Sequence, residues 1–203
     1  YEKMLMVIGK VIKKAKYKFK FIDLGGGMGI SYEKNDKSLN YKRYNFAIKN
    51  FLKKYSSKII FEPGRSIIGN TASLISKVIY VKKNGKKDFI ILDAAMNDLI
   101  RPTLYNAHHE VVPVTINKKT CSNKWEIVGP ICESGDWLAK NRELSLSEGD
   151  LICFFSAGAY CSSMASNYNS RRKPAEVIVS YDNSIREIVR RESYDEILNR
   201  EIT

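Results

Sequence analysis

Two short apolar runs, Ile22 to Leu24 and Lys58 to Phe61, each follow a helical stripe of apolar residues. This helix, strand, helix, strand order constrains the fold more than any other feature of the chain. Leu5, Ile8, Val11, Ile12 and Ala15 recur at helical spacing with lysines opposite, which predicts an amphipathic helix over residues 2–16. Tyr17, Phe19 and Phe21 then alternate with lysines into a strand at Ile22-Asp23-Leu24 that enters a buried sheet. A second stripe, Tyr41, Tyr44, Ile48, Phe51, Leu52 and Tyr55, leads into Lys58-Ile59-Ile60-Phe61, which reads as a buried strand. Short connections between such elements imply parallel α/β construction, in which ligands gather at the C-terminal ends of the strands.

Near residue 71 the pattern changes to strands alone. Residues 71–82 and 87–92 are β-rich and joined by Asn84-Gly85, a hairpin signal. Further strands are predicted over 111–116, 125–128, 150–155 and 175–181, and a closing helix over 193–199 has Ser193 as its N-cap. The chain therefore divides into an α/β part, residues 1–70, and an antiparallel β domain, residues 71–203. It opens on Tyr1, already inside a helical pattern and without an initiator methionine, so it is expected to begin in the middle of something larger.

The formal charge of +12 comes from lysines spread over the whole length, densest from Lys10 to Lys20. No nucleic-acid motif accompanies them, which favours a solvated basic surface over a nucleic-acid partner. Cys121, Cys132, Cys153 and Cys161 form no CxxC pair and have no histidine at metal-ligand spacing. They read as reduced thiols of a cytoplasmic protein, with no structural metal. The longest uncharged run, residues 151–170, is too polar in its second half to lie in a membrane.

Five stretches carry groups suited to chemistry. Glu62-Pro63-Gly64-Arg65 brings a carboxylate, a rigid turn and a planar guanidinium out of one strand end, although a solvated loop has the same composition. Gly25-Gly26-Gly27-Met28-Gly29 follows the other strand; its bare amides suit a single phosphate, its spacing fails the dinucleotide fingerprint, and a tight barrel loop is the structural alternative. Residues 93–105 include Arg101, whose backbone Pro102 biases to an extended form, and Tyr105 four residues on. Gly129 to Asp136 sets the Cys132 thiol beside the Glu133 carboxylate, and Ala157-Gly158-Ala159-Tyr160 leaves room for something flat. The pair His108-His109 reads as ordinary loop and receives no catalytic role.

Gly-Gly-Gly-Met-Gly, Glu-Pro-Gly-Arg, Arg-Pro-x-x-Tyr, Cys-Glu-Ser-Gly-Asp and Ala-Gly-Ala-Tyr, in that order over residues 18–182, closely resemble diaminopimelate decarboxylase, a fold-type III pyridoxal-phosphate family of lysine biosynthesis. The resemblance implies an α/β plus all-β fold, the C-terminal part of a TIM-like β/α barrel followed by an antiparallel β-sandwich or barrel. It implies decarboxylation of meso-2,6-diaminopimelate to L-lysine and carbon dioxide with pyridoxal 5'-phosphate. By the same resemblance Gly26, Gly27, Pro63, Gly64 and Arg65 would bind the cofactor with Glu62 at its ring nitrogen. Arg65, Arg101, Tyr105 and Glu133 would hold the substrate, Tyr160 would touch both, and Cys132 would donate the proton. The family's Cys-Glu segment reaches into a partner's active site, which implies a homodimer with shared sites.

One departure matters most. The family's Schiff-base lysine and its ring-stacking histidine lie upstream of Tyr1, so the chain is expected to be a fragment, inactive by itself. The alternatives are a sibling ornithine or arginine decarboxylase, or a non-catalytic homologue that binds a decarboxylase subunit.

Overall fold

A computed structural model describes residues 1–33, 36–115 and 123–202. It separates into two compact units, Tyr1–Asn70 and Thr71–Thr203.

In the first unit α1 (Glu2–Ala15), β1 (Phe21–Asp23), α2 (Tyr41–Leu52), β2 (Lys58–Ile60) and α3 (Arg65–Ile68) follow in order. The left-handed Lys16 ends α1, and the Asn40 side chain caps α2 by accepting from the Arg43 amide. Strands β1 and β2 pair in parallel with Ile22 opposite Ile59. Leu5, Ile22, Leu24, Ile48 and Phe51 form the core beneath them. Helix α1 approaches Tyr55 so closely at Gly9 that a Cβ there would lie 2.8 Å from the Tyr55 hydroxyl. That hydroxyl donates to the Gly9 carbonyl at 3.2 Å.

The expectation that both strands are buried is corrected. Side chains alternate across a sheet, so only one face of β1 and β2 meets this core, and Phe21 and Ile60 remain 49% and 42% exposed.

The second unit is built on a six-stranded sheet in the order β5-β8-β3-β4-β6-β7. Its strands are β3 (Leu74–Lys83), β4 (Asp88–Leu92), β5 (Val111–Pro113), β6 (Asn123–Val128), β7 (Trp137–Leu144) and β8 (Leu151–Phe154), with the short helix α4 (Arg101–Tyr105) between β4 and β5. A separate hairpin pairs β9 (Glu176–Val179) with β10 (Ile185–Val189), and α5 (Tyr194–Leu198) closes the chain. Ser193 and Glu196 form a full capping box on α5.

The antiparallel expectation needs amendment, because β4 and β6 pair in parallel with Ile90 opposite Ile127. The chain between them is long enough to cross over and return in the same direction, which a hairpin cannot do. Val78, Ile90, Leu92, Leu99, Ile127, Leu138, Ile152 and Phe154 fill the core on this sheet. Part of the strand expected over 111–116 and the thiol of Cys121 lie outside the described residues. Among the described residues no helix is long and apolar enough to cross a membrane.

Candidate functional site

Strands β1 and β2 end side by side, and their loops continue the pairing. Leu24 donates its amide to Ile60 at 3.0 Å, and Glu62 donates to the Gly25 carbonyl at 2.9 Å. Gly25 and Gly27 take φ of 64° and 74°, a region that glycine enters at little cost. Gly26 is required for another reason: a Cβ there would stand 2.4 Å from the Glu62 carbonyl oxygen. The glycine loop and the Glu62-to-Arg65 turn therefore form one surface at the C-terminal edge of the parallel pair.

Among the described residues the amides of Gly26, Gly27 and Gly64 donate to no backbone carbonyl, and a Cβ at Gly64 would meet open space. Arg65 opens α3 with its guanidinium 5.9 Å from the Tyr32 ring. Open amides beside a guanidinium fit a phosphate, and the exposed Glu62 carboxylate offers an acceptor beside them. Pro63 is half-buried between Glu62 and Gly64.

In the second unit Arg101 starts α4 and is only 6% exposed. Its backbone is helical, which corrects the extended form expected before Pro102. Burial of Arg101 and Pro102, and the Leu104 amide bonded to the Ile100 carbonyl at 2.9 Å, outweigh the local bias. The guanidinium lies 3.1 Å from Nε2 of His109 and 6.0 Å from the Tyr160 ring. Tyr160 adopts φ 61° and is 45% exposed, whereas Ala157 and Ala159 just before it are buried. Tyr105, four residues along α4, is 63% exposed.

The loop ahead of α4 is fixed by buried carboxylates. Asp98 accepts from the Ala95 amide at 2.9 Å and from Asn97 at 3.1 Å. Arg171 donates to Asn97 at 2.9 Å and to the Asp93 carbonyl, and stands 3.7 Å from Asp98. Burial pushes the Asp98 carboxyl above its ordinary range, against the pull of the Ala95 amide and Arg171.

Asp136 joins two loops: its carboxylate accepts from Met96 and from Ile131, each at 2.7 Å. Thr103 of α4 adds a second tie, donating to the Gly135 carbonyl at 2.5 Å. Burial raises the Asp136 carboxyl, and those two amides oppose the rise. A Cβ on Gly129 would fall 2.4 Å from Asp136 Oδ2 and 2.7 Å from Ala95 Cα, so only glycine fits there.

Cys132 and Glu133 ride on the exposed tip of this tied loop. Glu133 accepts from the Gly135 amide and from the Tyr168 hydroxyl, both at 3.2 Å. That acceptor raises the Tyr168 hydroxyl above its usual range. Cys161 is inert by contrast: its thiol donates to the Asp98 carbonyl at 3.1 Å, and burial pushes it up to about 12.

Each unit thus presents its own cluster of polar groups: a phosphate-suited strand edge in one, and a buried cation with exposed thiol, carboxylate and phenol groups in the other. His109, Asp136, Tyr168 and Arg171 support those groups, and sequence reasoning assigned none of them. His109 and Arg171 had no spacing signal at all, whereas Asp136 stood inside a quoted motif.

The chain is similar to a class of cofactor-dependent enzymes. The family model for the pyridoxal-dependent decarboxylase C-terminal sheet domain matches residues 9–158, and the chain belongs to that family. Its relatives include the diaminopimelate decarboxylases of Aquifex aeolicus, 44% identical over 97% of this chain and 46% of that protein, and of Pseudomonas fluorescens, 48% identical over 87% of this chain and 42% of that protein. A crystal structure of diaminopimelate decarboxylase from Helicobacter pylori complexed with L-lysine superposes with a TM-score of 0.84 at 39% identity, covering 98% of this chain and 48% of that one. The chain spans about half the length of the curated relatives it matches.

Proposed function

We propose that this chain serves the decarboxylation of meso-2,6-diaminopimelate to L-lysine and carbon dioxide by a pyridoxal-phosphate enzyme. The observation that carries the reading is Arg101, a buried, oriented guanidinium in a chain whose relatives are named diaminopimelate decarboxylases. The substrate has an amino-acid group at each end, so recognising the end that does not react requires a fixed cation and an acceptor. Arg101 supplies the first and Glu133 the second, with Tyr105 as a hydroxyl donor. Arg65, as a second guanidinium, contributes to both cofactor and substrate. A site built around such a fork disfavours ornithine and arginine, which lack the distal carboxylate.

Gly26, Gly27, Gly64 and Arg65 would hold the cofactor's phosphate, Pro63 would stiffen that turn, and Glu62 would accept from the pyridinium nitrogen and favour its protonated form. When bound, pyridoxal phosphate supplies the electron sink for the pair left as carbon dioxide departs. Cys132 Sγ then gives its proton to the former α-carbon, forming the C–H bond that completes L-lysine. Tyr160 borders cofactor and substrate. The working enzyme is a cytoplasmic homodimer in which the Cys132 loop completes the partner's site.

Carbon dioxide release by the full-length enzyme tests this reading. It expects meso-diaminopimelate to be preferred over ornithine and arginine, and Arg101→Met to lower kcat/KM on the order of 10²-fold or more. A higher kcat/KM on ornithine would overturn it.

A further inference from the structure

The five N–H bonds of a guanidinium can only donate, and a backbone carbonyl can only accept. His109 sits between one of each: its Nε2 is 3.1 Å from Arg101 Nη1 and its Nδ1 is 2.9 Å from the Phe155 carbonyl oxygen. The neighbours therefore dictate the tautomer. Nδ1 carries the hydrogen and donates to Phe155, which leaves the Nε2 lone pair to accept from Arg101. The residue is fully buried, and its backbone carbonyl accepts from Arg142 at 3.1 Å. Arg142 also contacts the His108 ring at 2.9 Å, while the Phe155 amide is bonded to Glu110 at 2.9 Å. The imidazole is thus braced through β7, the residue just after β8 and the chain ahead of β5.

We propose that His109 is a positioning residue for substrate recognition: its Nε2 lone pair fixes the direction in which Arg101 presents its other N–H donors to a ligand carboxylate. The proposal rests on the reading of Arg101 as the carboxylate clamp. Imidazole suits the task better than a carboxylate would. An Asp or Glu in its place would hold the guanidinium equally firmly but would neutralise it, leaving less charge for the ligand. A neutral acceptor orients the fork without itself cancelling any of its charge. Burial, followed by the nearby Arg101, His108 and Arg142 charges, keeps His109 neutral by lowering its pKa, against the opposing effect of Phe155.

Two substitutions separate the two nitrogens. In His109→Asn the amide nitrogen lies near the position of Nδ1 and can still donate to Phe155, but nothing reaches Arg101. In His109→Gln the longer side chain carries an acceptor to the position of Nε2 and gives up the Phe155 bond.

The test uses the full-length, cofactor-loaded enzyme and measures melting temperature, kcat and KM for meso-diaminopimelate, and L-lysine binding by calorimetry. His109→Asn is expected to raise KM and the lysine Kd by roughly ten- to a hundredfold with little change in kcat, the size of one charge-assisted hydrogen bond. His109→Gln is expected to stay within about threefold of the parent in both, even where it melts as early as the Asn variant. Should Asn fail to fold, His109→Met, of similar bulk and without a comparable acceptor, takes its place.

Equal losses in the Asn and Gln variants that follow melting temperature would overturn the proposal and leave His109 a packing residue. Arg101→Lys is the control. If it leaves KM and lysine affinity unchanged, the clamp reading itself fails and the proposal falls with it. If it damages both while Asn and Gln behave alike, only the role of His109 is lost.

Discussion

The sheet unit and the smaller α/β unit bury their apolar side chains to different depths. Ile90, Leu92, Leu99, Ile127, Leu138, Ile152 and Phe154 of the first have no exposed surface, whereas Phe51, the most buried core side chain described in the second, keeps 6%. A mixed sheet of six strands closes over its own core. Two parallel strands cover only one face, and parallel sheets elsewhere have both faces covered. Arg101 and its neighbours in the sheet unit are therefore held by a solid framework, and the glycine edge of the other unit rests on a thinner one.

Separating the units gives the largest expected contrast. Residues 71–203 expressed by themselves should melt in one cooperative transition by calorimetry, and residues 1–70 should show none. A cooperative melt from the small unit would break the comparison.

Core truncation comes next. Phe154→Ala should cost about 3–5 kcal/mol in chemical denaturation, and Phe51→Ala about 3 kcal/mol or less because its looser surroundings can relax. Equal losses would mean that exposure does not report packing quality here.

Two glycines sharpen the point. Gly129→Ala collides with the Asp136 carboxylate and the Ala95 backbone, and should lose about 1–3 kcal/mol of stability. Gly26→Ala meets one carbonyl on a small sheet that can shift, so it should impair pyridoxal-phosphate affinity more than melting, as read by cofactor titration and thermal shift on the full-length enzyme.

The smallest effect is pH-dependent and belongs to the sheet unit. Burial, joined by Arg101, His108 and Arg142, holds His109 below its ordinary 6.5. The unfolded chain then binds the proton more readily, so this contribution is present above pH 6.5 and fades as pH falls through the folded value. Melting of residues 71–203 should drop over that range, and His109→Gln should remove part of the drop.

Much of this architecture could be read in advance. The stripes of α1 and α2 and the apolar runs of β1 and β2 follow simple periods, as do β3, β4 and their Asn84-Gly85 turn. Strand β7 escaped because Leu138, Ala139, Lys140, Arg142 and Glu143 favour helix, and Asn141, at φ 52°, interrupts the alternation. Strand β10 has every residue exposed, so no buried face marks it.

Within the candidate site, residues inside contiguous motifs were legible and their supports were not. His109 accepts from a side chain eight residues away and donates to a carbonyl forty-six residues away, and Arg171 reaches Asn97 across seventy-four. Contacts so distant in sequence leave no local period.

The single carboxylate of Asp136 holds amides from two stretches of chain, one leading to Arg101 and the other carrying Cys132. If Arg101 selects the substrate and Cys132 delivers the proton, as proposed, the two tasks are mechanically geared to one another through Asp136. An engineer who lengthens or re-aims either loop to accept a new amino acid will disturb the other, and productive redesign must vary both together.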